Sequence, residues 1–411
     1  MSSILIEPSR LSGRVKVPLS KSAAHRAAIC AALAGNLSVL PENEPLSDDV
    51  AATKRAAAQI INASESGTGG ITVDCGESGS TLRFLIPVAA ALGVKAVFTG
   101  HGRLPSRPLG VYLDCLPRRG VNCESAGGLP LKVSGRLTPG VFTLPGDVSS
   151  QFITGLLLSL PLLESQSEIR LSSPLESAGY VGMTVQTMEA FGVHVEKTQR
   201  GWLIPGRQSY KTQEAYAVER DWSQAAFFIE AGALGGDVEI EGLNFSSKQG
   251  DMAAESLFKK FGAAVTRKHG MLSVSRGSLR GMEIDASQIP DLVPALAAAA
   301  ALCKGRTVIY NAKRLRLKES DRLSAMAGGL NSLGGRVRET PDGLVIDGVK
   351  KLTAGKADGC RDHRVVMALA VAASRADGGV TISDSESVSK SYPAFFDDYR
   401  RLGGKAYDLG R

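Results

Sequence analysis

Asp221-Trp222-Ser223-Gln224-Ala225-Ala226-Phe227-Phe228-Ile229-Glu230-Ala231-Gly232-Ala233-Leu234 reads as a polar cap opening directly onto an apolar helical run. An Asp or Ser at such a start accepts hydrogen bonds from amides that the first turn leaves unpaired. The pattern recurs along the chain. Ser20-Lys21-Ser22 leads into residues 23–33, and Glu77-Ser78-Gly79-Ser80 into 82–92. Asp147-Val148-Ser149-Ser150-Gln151 leads into 152–163, Asp291 into 292–302, and Asp362-His363-Arg364 into 365–373. Helix starts carry partial positive charge and free N–H groups, so several of them meeting would make a pocket for phosphate and carboxylate.

The spacing is that of an internal repeat. Asp147, Asp221, Asp291 and Asp362 stand 74, 70 and 71 residues apart. A second marker keeps step: Gly120-Val121, Gly192-Val193, Gly262-Ala263 and Gly334-Gly335 fall 72, 70 and 72 apart. Each lies where a helix should end, the usual place for a capping Gly. A hairpin-like pair of strands should follow each, with Gly128, Gly201, Gly270 and Gly343 at the turn. Units of about 70 residues that mix helix and strand predict a globular α/β repeat rather than a thin solenoid.

Composition narrows the class. At 43% hydrophobic and 22% charged, 411 residues can bury a large core in two or three domains. The six cysteines (Cys30, Cys75, Cys115, Cys123, Cys303 and Cys360) form no CxxC pair, which predicts buried thiols in a cytoplasmic protein and no metal. Residues 1–18 carry no signal-peptide pattern, and the apolar run 292–303 is too short to span a bilayer. A net charge of +7 admits anionic partners. The basic residues form no tail or stripe, and aromatic residues are only 5%, which fits a small multiply charged substrate better than nucleic acid.

Each motif has a plain reading beside a functional one. Lys21 and Arg26 could both reach over one helix start as an anion clamp with Ser22, or be solvated bases on a capped helix. Gly79 would let backbone amides approach a ligand, or simply form a turn. Arg107, between Pro105 and Pro108, suits bidentate recognition of carboxylate or phosphate, or decorates a surface loop. Ser149, Ser150 and Gln151 offer phosphate-binding groups that are equally good caps. Seven charges crowd Lys313-Arg314-Leu315-Arg316-Leu317-Lys318-Glu319-Ser320-Asp321-Arg322, ordinarily a solvated face. The alternation of Leu315 and Leu317 suggests a strand running into a helix, a common ligand position in α/β sheets. Asp362-His363-Arg364 and Lys390-Ser391-Tyr392-Pro393 complete the set.

From about Leu11 to Phe396, these motifs in this order resemble the 5-enolpyruvylshikimate-3-phosphate (EPSP) synthase family, enolpyruvyl transferases of the shikimate pathway in aromatic amino-acid and chorismate biosynthesis. The resemblance implies two similar domains, each of three βαβαββ units, with helix N-termini facing an interdomain cleft. It implies a discontinuous domain of residues 1–18 plus 220–411 and an inserted domain of 19–219, with crossings near 16–19 and 219–221. The implied reaction transfers the enolpyruvyl group of phosphoenolpyruvate to the 5-hydroxyl of shikimate 3-phosphate. Phosphate is released by addition and elimination, without metal or organic cofactor.

By motif, Lys21, Ser22, Arg26, Ser149, Ser150, Gln151, Ser177, Tyr180, Asp291, Arg314 and Lys318 would lie about shikimate 3-phosphate. Lys21, Gly79, Arg107, Gln151, Arg322, Arg364 and Lys390 would surround phosphoenolpyruvate. Asp291 would take the 5-hydroxyl proton and Glu319 would transfer a proton at the methylene carbon, with Lys21 and His363 as further participants. The expected partners are these substrates alone, with no nucleic acid and no membrane, and the expected state is a monomer. Where the family commonly has Asn and Thr flanking the glycine, this chain has Glu77 and Ser80, and Phe84 replaces a frequent Pro. Those positions flank the place where glyphosate competes with phosphoenolpyruvate in the family. Glu77 should point away or pair with Arg83. Arg314 stands where an Asn often contacts the shikimate moiety. The nearest rival, the UDP-N-acetylglucosamine enolpyruvyl transferase family, has Lys-Asn at Lys21-Ser22 and usually a Cys in the Arg107 loop, which has none here. A basic nucleic-acid-binding repeat protein is the remote alternative.

Overall fold

The apolar runs become the helices Lys21–Leu33, Gly79–Leu92, Ser150–Ser159, Trp222–Ala233, Val293–Ala301 and His363–Ala373 in a computed structural model that describes residues 2–36, 39–41, 44–67, 69–213 and 216–410. Most residues of each are buried all round, as expected of helices in the middle of a domain rather than on its surface. Ser78, Ser149, Asp221 and Asp362 cap their helices by accepting from the amides of Thr81, Gln151, Gln224 and Arg364, each cap being worth about 1 kcal/mol. The other two periodic aspartates do different work. Asp147 accepts a 2.6 Å bond from the Ser173 hydroxyl, and Asp291 sits in the 3-10 turn Pro290–Leu292 with its carboxylate turned to cations.

Among the described residues, five four-stranded sheets follow one plan. In the simplest, Ile71–Asp74 pairs parallel with Ala96–Thr99 across the Gly79–Leu92 helix, and the hairpin Val121–Glu124 and Leu131–Gly135 adds antiparallel strands on the far side. With the short helix Gly110–Cys115 this is a βαβαββ unit; parallel neighbours need such a crossover, antiparallel ones only a turn. Strands Val141–Leu144, Ser167–Leu171, Glu196–Thr198 and Gly201–Ile204 repeat it, as do Glu283–Asp285, Arg306–Tyr310, Val337–Thr340 and Gly343–Asp347.

The chain divides into two compact units, residues 1–20 with 219–411, and residues 21–218. Three of the sheets belong to the first unit and two to the second. Helices Lys21–Leu33 and Asp48–Ser66 stand for a third copy in the second unit, without a four-stranded sheet among the described residues. In the first unit one repeat is interrupted. Its opening strand, Ser12–Val15, pairs parallel with Asp237–Glu241, and residues 21–218 intervene before its helix at Trp222. Departing and returning chain run antiparallel, Ser20 N–H donating to Glu219 O at 2.8 Å and Asp221 N–H to Pro18 O at 3.0 Å. Another repeat is closed by the chain's own beginning: Ser3–Glu7 lies between Val380–Ser383 and Lys405–Asp408.

The strand expected at Leu315 and Leu317 is instead a 3-10 turn, Lys313–Leu317. The strand of that repeat has already ended at Tyr310, and Leu315 is buried while Leu317 is half exposed. Two apolar residues spaced by two fit a turn as well as a strand when only one of them faces the core.

Two of the hairpin glycines, Gly201 and Gly343, have a steric reason. A Cβ on Gly343 would stand 1.9 Å from the Ile309 carbonyl oxygen, and one on Gly201 1.9 Å from that of Ile169. Backbone in a central strand cannot yield by that much. Gly343→Ala is expected to cost about 1–3 kcal/mol, read as a lower urea midpoint with an unchanged slope.

Candidate active site

In the unit of residues 1–20 and 219–411, the site is built around one side chain. Arg322, the first residue of the Arg322–Ser332 helix, is 1% exposed and its guanidinium meets three carboxylates. Nε donates to Asp362 at 2.8 Å, Nη1 to Asp291 at 2.9 Å and Nη2 to Glu319 at 2.5 Å. Asp362 also accepts from the Ser320 hydroxyl at 2.9 Å. Arg364 reaches Asp291 from the other side at 3.2 Å and Lys318 lies 3.6 Å from it. Three cations thus face three carboxylates.

The charges set one another's chemistry. Burial alone would push the Asp291 carboxyl up, but Arg364, Lys318 and Arg322 outweigh it and hold it well below the usual carboxylate range. Burial works against the Arg322 charge, yet Asp362, Glu319 and Asp291 raise its affinity for the proton further still. Asp251, a residue without a local sequence signal, lies 2% exposed in the turn Gly250–Met252 and accepts from the Ser223 hydroxyl. Burial, then the neighbouring Asp291 charge, push its carboxyl up to about 6.

The remaining members are placed as follows. His363, 1% exposed, opens its helix with Nδ1 3.9 Å from Asp362. Lys390 ends the turn Ser385–Lys390 and donates to the Arg361 carbonyl at 2.9 Å. Arg314 donates to the Ser287 carbonyl at 2.6 Å. Arg316, the other arginine of the charged run, is structural: it bridges Asp321, the cap of its helix, and Glu339, both at 2.9 Å.

Residues 21–218 use fewer charges and more neutral donors. Lys21 begins its helix and pairs with Asp49 at 2.8 Å. Gly79 and Arg107 are in contact, since a Cβ on Gly79 would fall 2.3 Å from the Arg107 guanidinium. Gln151 donates to Ser80 at 3.0 Å and accepts from Arg83 at 2.6 Å. Arg83 also donates to the Pro108 carbonyl and lies 4.9 Å over the Phe152 ring. The Glu77 carboxylate lies beside Gly102. Ser149 caps the Ser150–Ser159 helix. Ser177, 2% exposed, precedes the Ala178–Ala190 helix at φ 55°, a left-handed conformation that non-glycine residues adopt at a cost.

Arg26 reaches back toward the start of its own helix, at Ser22. It is 3% exposed and ties helices together, donating to Thr184 at 2.8 Å, to the Tyr180 carbonyl at 2.9 Å and to the Ser22 carbonyl. These partners are all neutral, and burial pushes its guanidinium down to about 10. Cys115 lies in the helix Gly110–Cys115, its thiol pushed up to about 12 by burial and then by Asp114.

No helix among the described residues is long and apolar enough to cross a membrane, and no group of His, Cys, Asp and Glu is placed to hold a metal ion.

Paired acids on buried guanidinium groups, set on units of βαβαββ repeats, define the class of α/β fold to which the chain belongs. The chain superposes over its full length on the solved EPSP synthase from Acinetobacter baumannii, with a TM-score of 0.80 at 24% identity. Against the enolpyruvyl transferase NikO from Streptomyces tendae, with 99% of each chain covered, the TM-score is 0.76 at 19% identity. At those identities the likeness is one of fold. Residues 5–399 match the family model of EPSP synthase (3-phosphoshikimate 1-carboxyvinyltransferase), and the chain belongs to that family. It is 45% identical to the 3-phosphoshikimate 1-carboxyvinyltransferase of Clostridium acetobutylicum, with 99% of both chains covered, and 42% identical to that of Clostridium kluyveri, with 98% covered.

Asp251 supplies a pH test. Its folded value, about 6, lies above the ordinary 3.8, so the folded state holds this proton more tightly than the unfolded chain. Its stabilising contribution is complete below about pH 4 and is lost as pH rises through about 6. Between pH 4 and pH 7 the urea midpoint of Asp251→Asn is expected to rise relative to the parent protein.

Proposed function

We propose that this chain transfers the enolpyruvyl group of phosphoenolpyruvate to the 5-hydroxyl of shikimate 3-phosphate, releasing phosphate. The observation that carries the mechanism is the pair Asp291 and Glu319, held 2.9 and 2.5 Å from one guanidinium. Two carboxyl groups side by side can serve the two proton transfers that addition and elimination require. Glu319 gives a proton to the methylene carbon as the 5-hydroxyl oxygen attacks the neighbouring carbon and Asp291 takes the hydroxyl proton. In the second step the methyl group returns that proton to Glu319 as phosphate departs with the proton held by Asp291, and the carbon–carbon double bond re-forms as the enol ether of the product.

Asp291 is acidified in the free enzyme and is a poor base there. Anionic phosphoenolpyruvate at Arg322, Arg364 and Lys390 would offset the positive field and restore its basicity once substrate is present. Lys21, Gly79, Arg107 and Gln151 would hold the same substrate from residues 21–218, with Arg83 fixing the Gln151 amide. Ser149, Ser150 and Ser177 would hold the shikimate phosphate, with Ser22, Arg26, Tyr180, Arg314 and Lys318 about the rest of that molecule. Arg26, buried among neutral acceptors, suits a substrate carboxylate, which would supply its missing counter-charge. His363 is a further participant. A monomer in the cytoplasm completes the proposal, and the six free cysteines suit a reducing compartment.

Phosphate release with phosphoenolpyruvate is the direct test. It is expected with shikimate 3-phosphate and absent with UDP-N-acetylglucosamine; the reverse would overturn the acceptor. Glu319→Gln is expected to cut kcat at least 100-fold in a protein of unchanged circular dichroism. Gly79→Ala must displace the Arg107 guanidinium, so KM for phosphoenolpyruvate should rise several-fold more than KM for shikimate 3-phosphate.

A further inference from the structure

Lys21 and Asp49 form a sheltered ion pair, 2.8 Å apart with side chains 14% and 10% exposed. At such shelter the attraction exceeds that of a solvated surface pair. Any anion that binds Lys21 must therefore compete with a carboxylate already in contact with it.

Asp49 is held firmly from behind. It lies in the first turn of the Asp48–Ser66 helix, which Ser47 caps. Its carbonyl oxygen lies 3.3 Å from the hydroxyls of both Thr53 and Thr81, which are 2.5 Å apart. Thr53 is 2.6 Å from His25 Nδ1, one turn along the helix from Lys21. Thr81 is 2.7 Å from the hydroxyl of Ser78, the cap of the Gly79–Leu92 helix. Buried hydroxyls thus tie three helix starts together: those bearing Lys21, Asp49 and Gly79. Burial, then the charges of Lys21 and Arg26, hold the His25 imidazole well below its usual range. It is neutral and offers Asp49 no second cation.

We propose that Asp49 is a positioning residue that holds the Lys21 ammonium between turnovers, yields it to the phosphoenolpyruvate anion on binding, and reclaims it as phosphate departs. The inference rests on the assignment of Lys21 to phosphoenolpyruvate above. A counter-ion exchanged in this way lowers affinity for both anions, and in return it provides a partner for the cation when product leaves. No covalent bond changes; one ion pair replaces another.

Inorganic phosphate is the probe, as an inhibitor competing with phosphoenolpyruvate, in the parent protein, Asp49→Asn, Lys21→Ala and the double variant. Asn keeps the shape of Asp and suits a first helical turn, and thermal unfolding verifies that the fold survives. Asp49→Asn is expected to lower the inhibition constant of phosphate and KM for phosphoenolpyruvate at least threefold each, while kcat falls tenfold or more because product is retained. In the Lys21→Ala background the same change should leave phosphate inhibition unaltered, since coupled residues are not additive. A purely structural Asp49 would instead weaken both anions with or without Lys21. If Lys21→Ala leaves both anions bound as tightly as before, the role of Lys21 itself is wrong. If Lys21→Ala weakens them but Asp49→Asn fails to tighten them, Lys21 stands and the exchange is overturned.

Discussion

One guanidinium shared by three carboxylates constrains the larger unit more than any other contact. Arg322 is buried at the start of its helix, and Asp362, Asp291 and Glu319 converge on it from different segments. Removing one partner of such a buried set costs about 3–5 kcal/mol, because the others are left charged and uncompensated. The set also fixes geometry. Asp362 caps one central helix, Asp291 stands before another, and Glu319 lies three residues ahead of Arg322 itself. Two repeats therefore present three helix starts in a single register, and the acid and base of the proposed chemistry are held by the same atoms that hold the fold.

The second unit solves a related problem by different means. Its helix starts are joined by hydroxyls and an amide beside an ion pair, Lys21 with Asp49: Thr53, Thr81 and Ser78, with Gln151 spanning Ser80 and Arg83. Its cations are sparse, and one of them, Arg26, is buried among neutral acceptors. In the first unit three cations already face three carboxylates before any ligand arrives. The second keeps positive charge whose best partner is an anion from outside.

Most of the fold was legible because its signals are local and repeated. A cap, an apolar run, a capping glycine and a hairpin return four times in step, and no single copy need be unambiguous. Gly120, Gly192, Gly262 and Gly334 all adopt positive φ, as a helix-ending glycine should. The charged run 313–322 was harder. Leu315 and Leu317 imitate a strand, and only the place where the preceding strand ends, at Tyr310, shows them to be a turn. Within that run, Arg322 and Glu319 face the cluster while Arg316 and Asp321 brace the helix, a division of labour that spacing alone cannot reveal. Asp49, Asp251 and the bracing role of Arg83 escaped for the same reason. An acid beside Ser47, an Asp after Gly250 and an Arg within an apolar helix look ordinary until distant segments are brought beside them.

The placement of strand Ser3–Glu7 bears on how the protein is made. That strand precedes its neighbours on both sides, Val380–Ser383 and Lys405–Asp408, by more than 370 residues. It must wait, unpaired, through the synthesis of nearly the whole chain. Residues 21–218, by contrast, form a continuous stretch with its own apolar core and can collapse as soon as they emerge. Biosynthesis thus imposes an order: the inserted unit first, then a sheet that closes only when its late strands reach the early one.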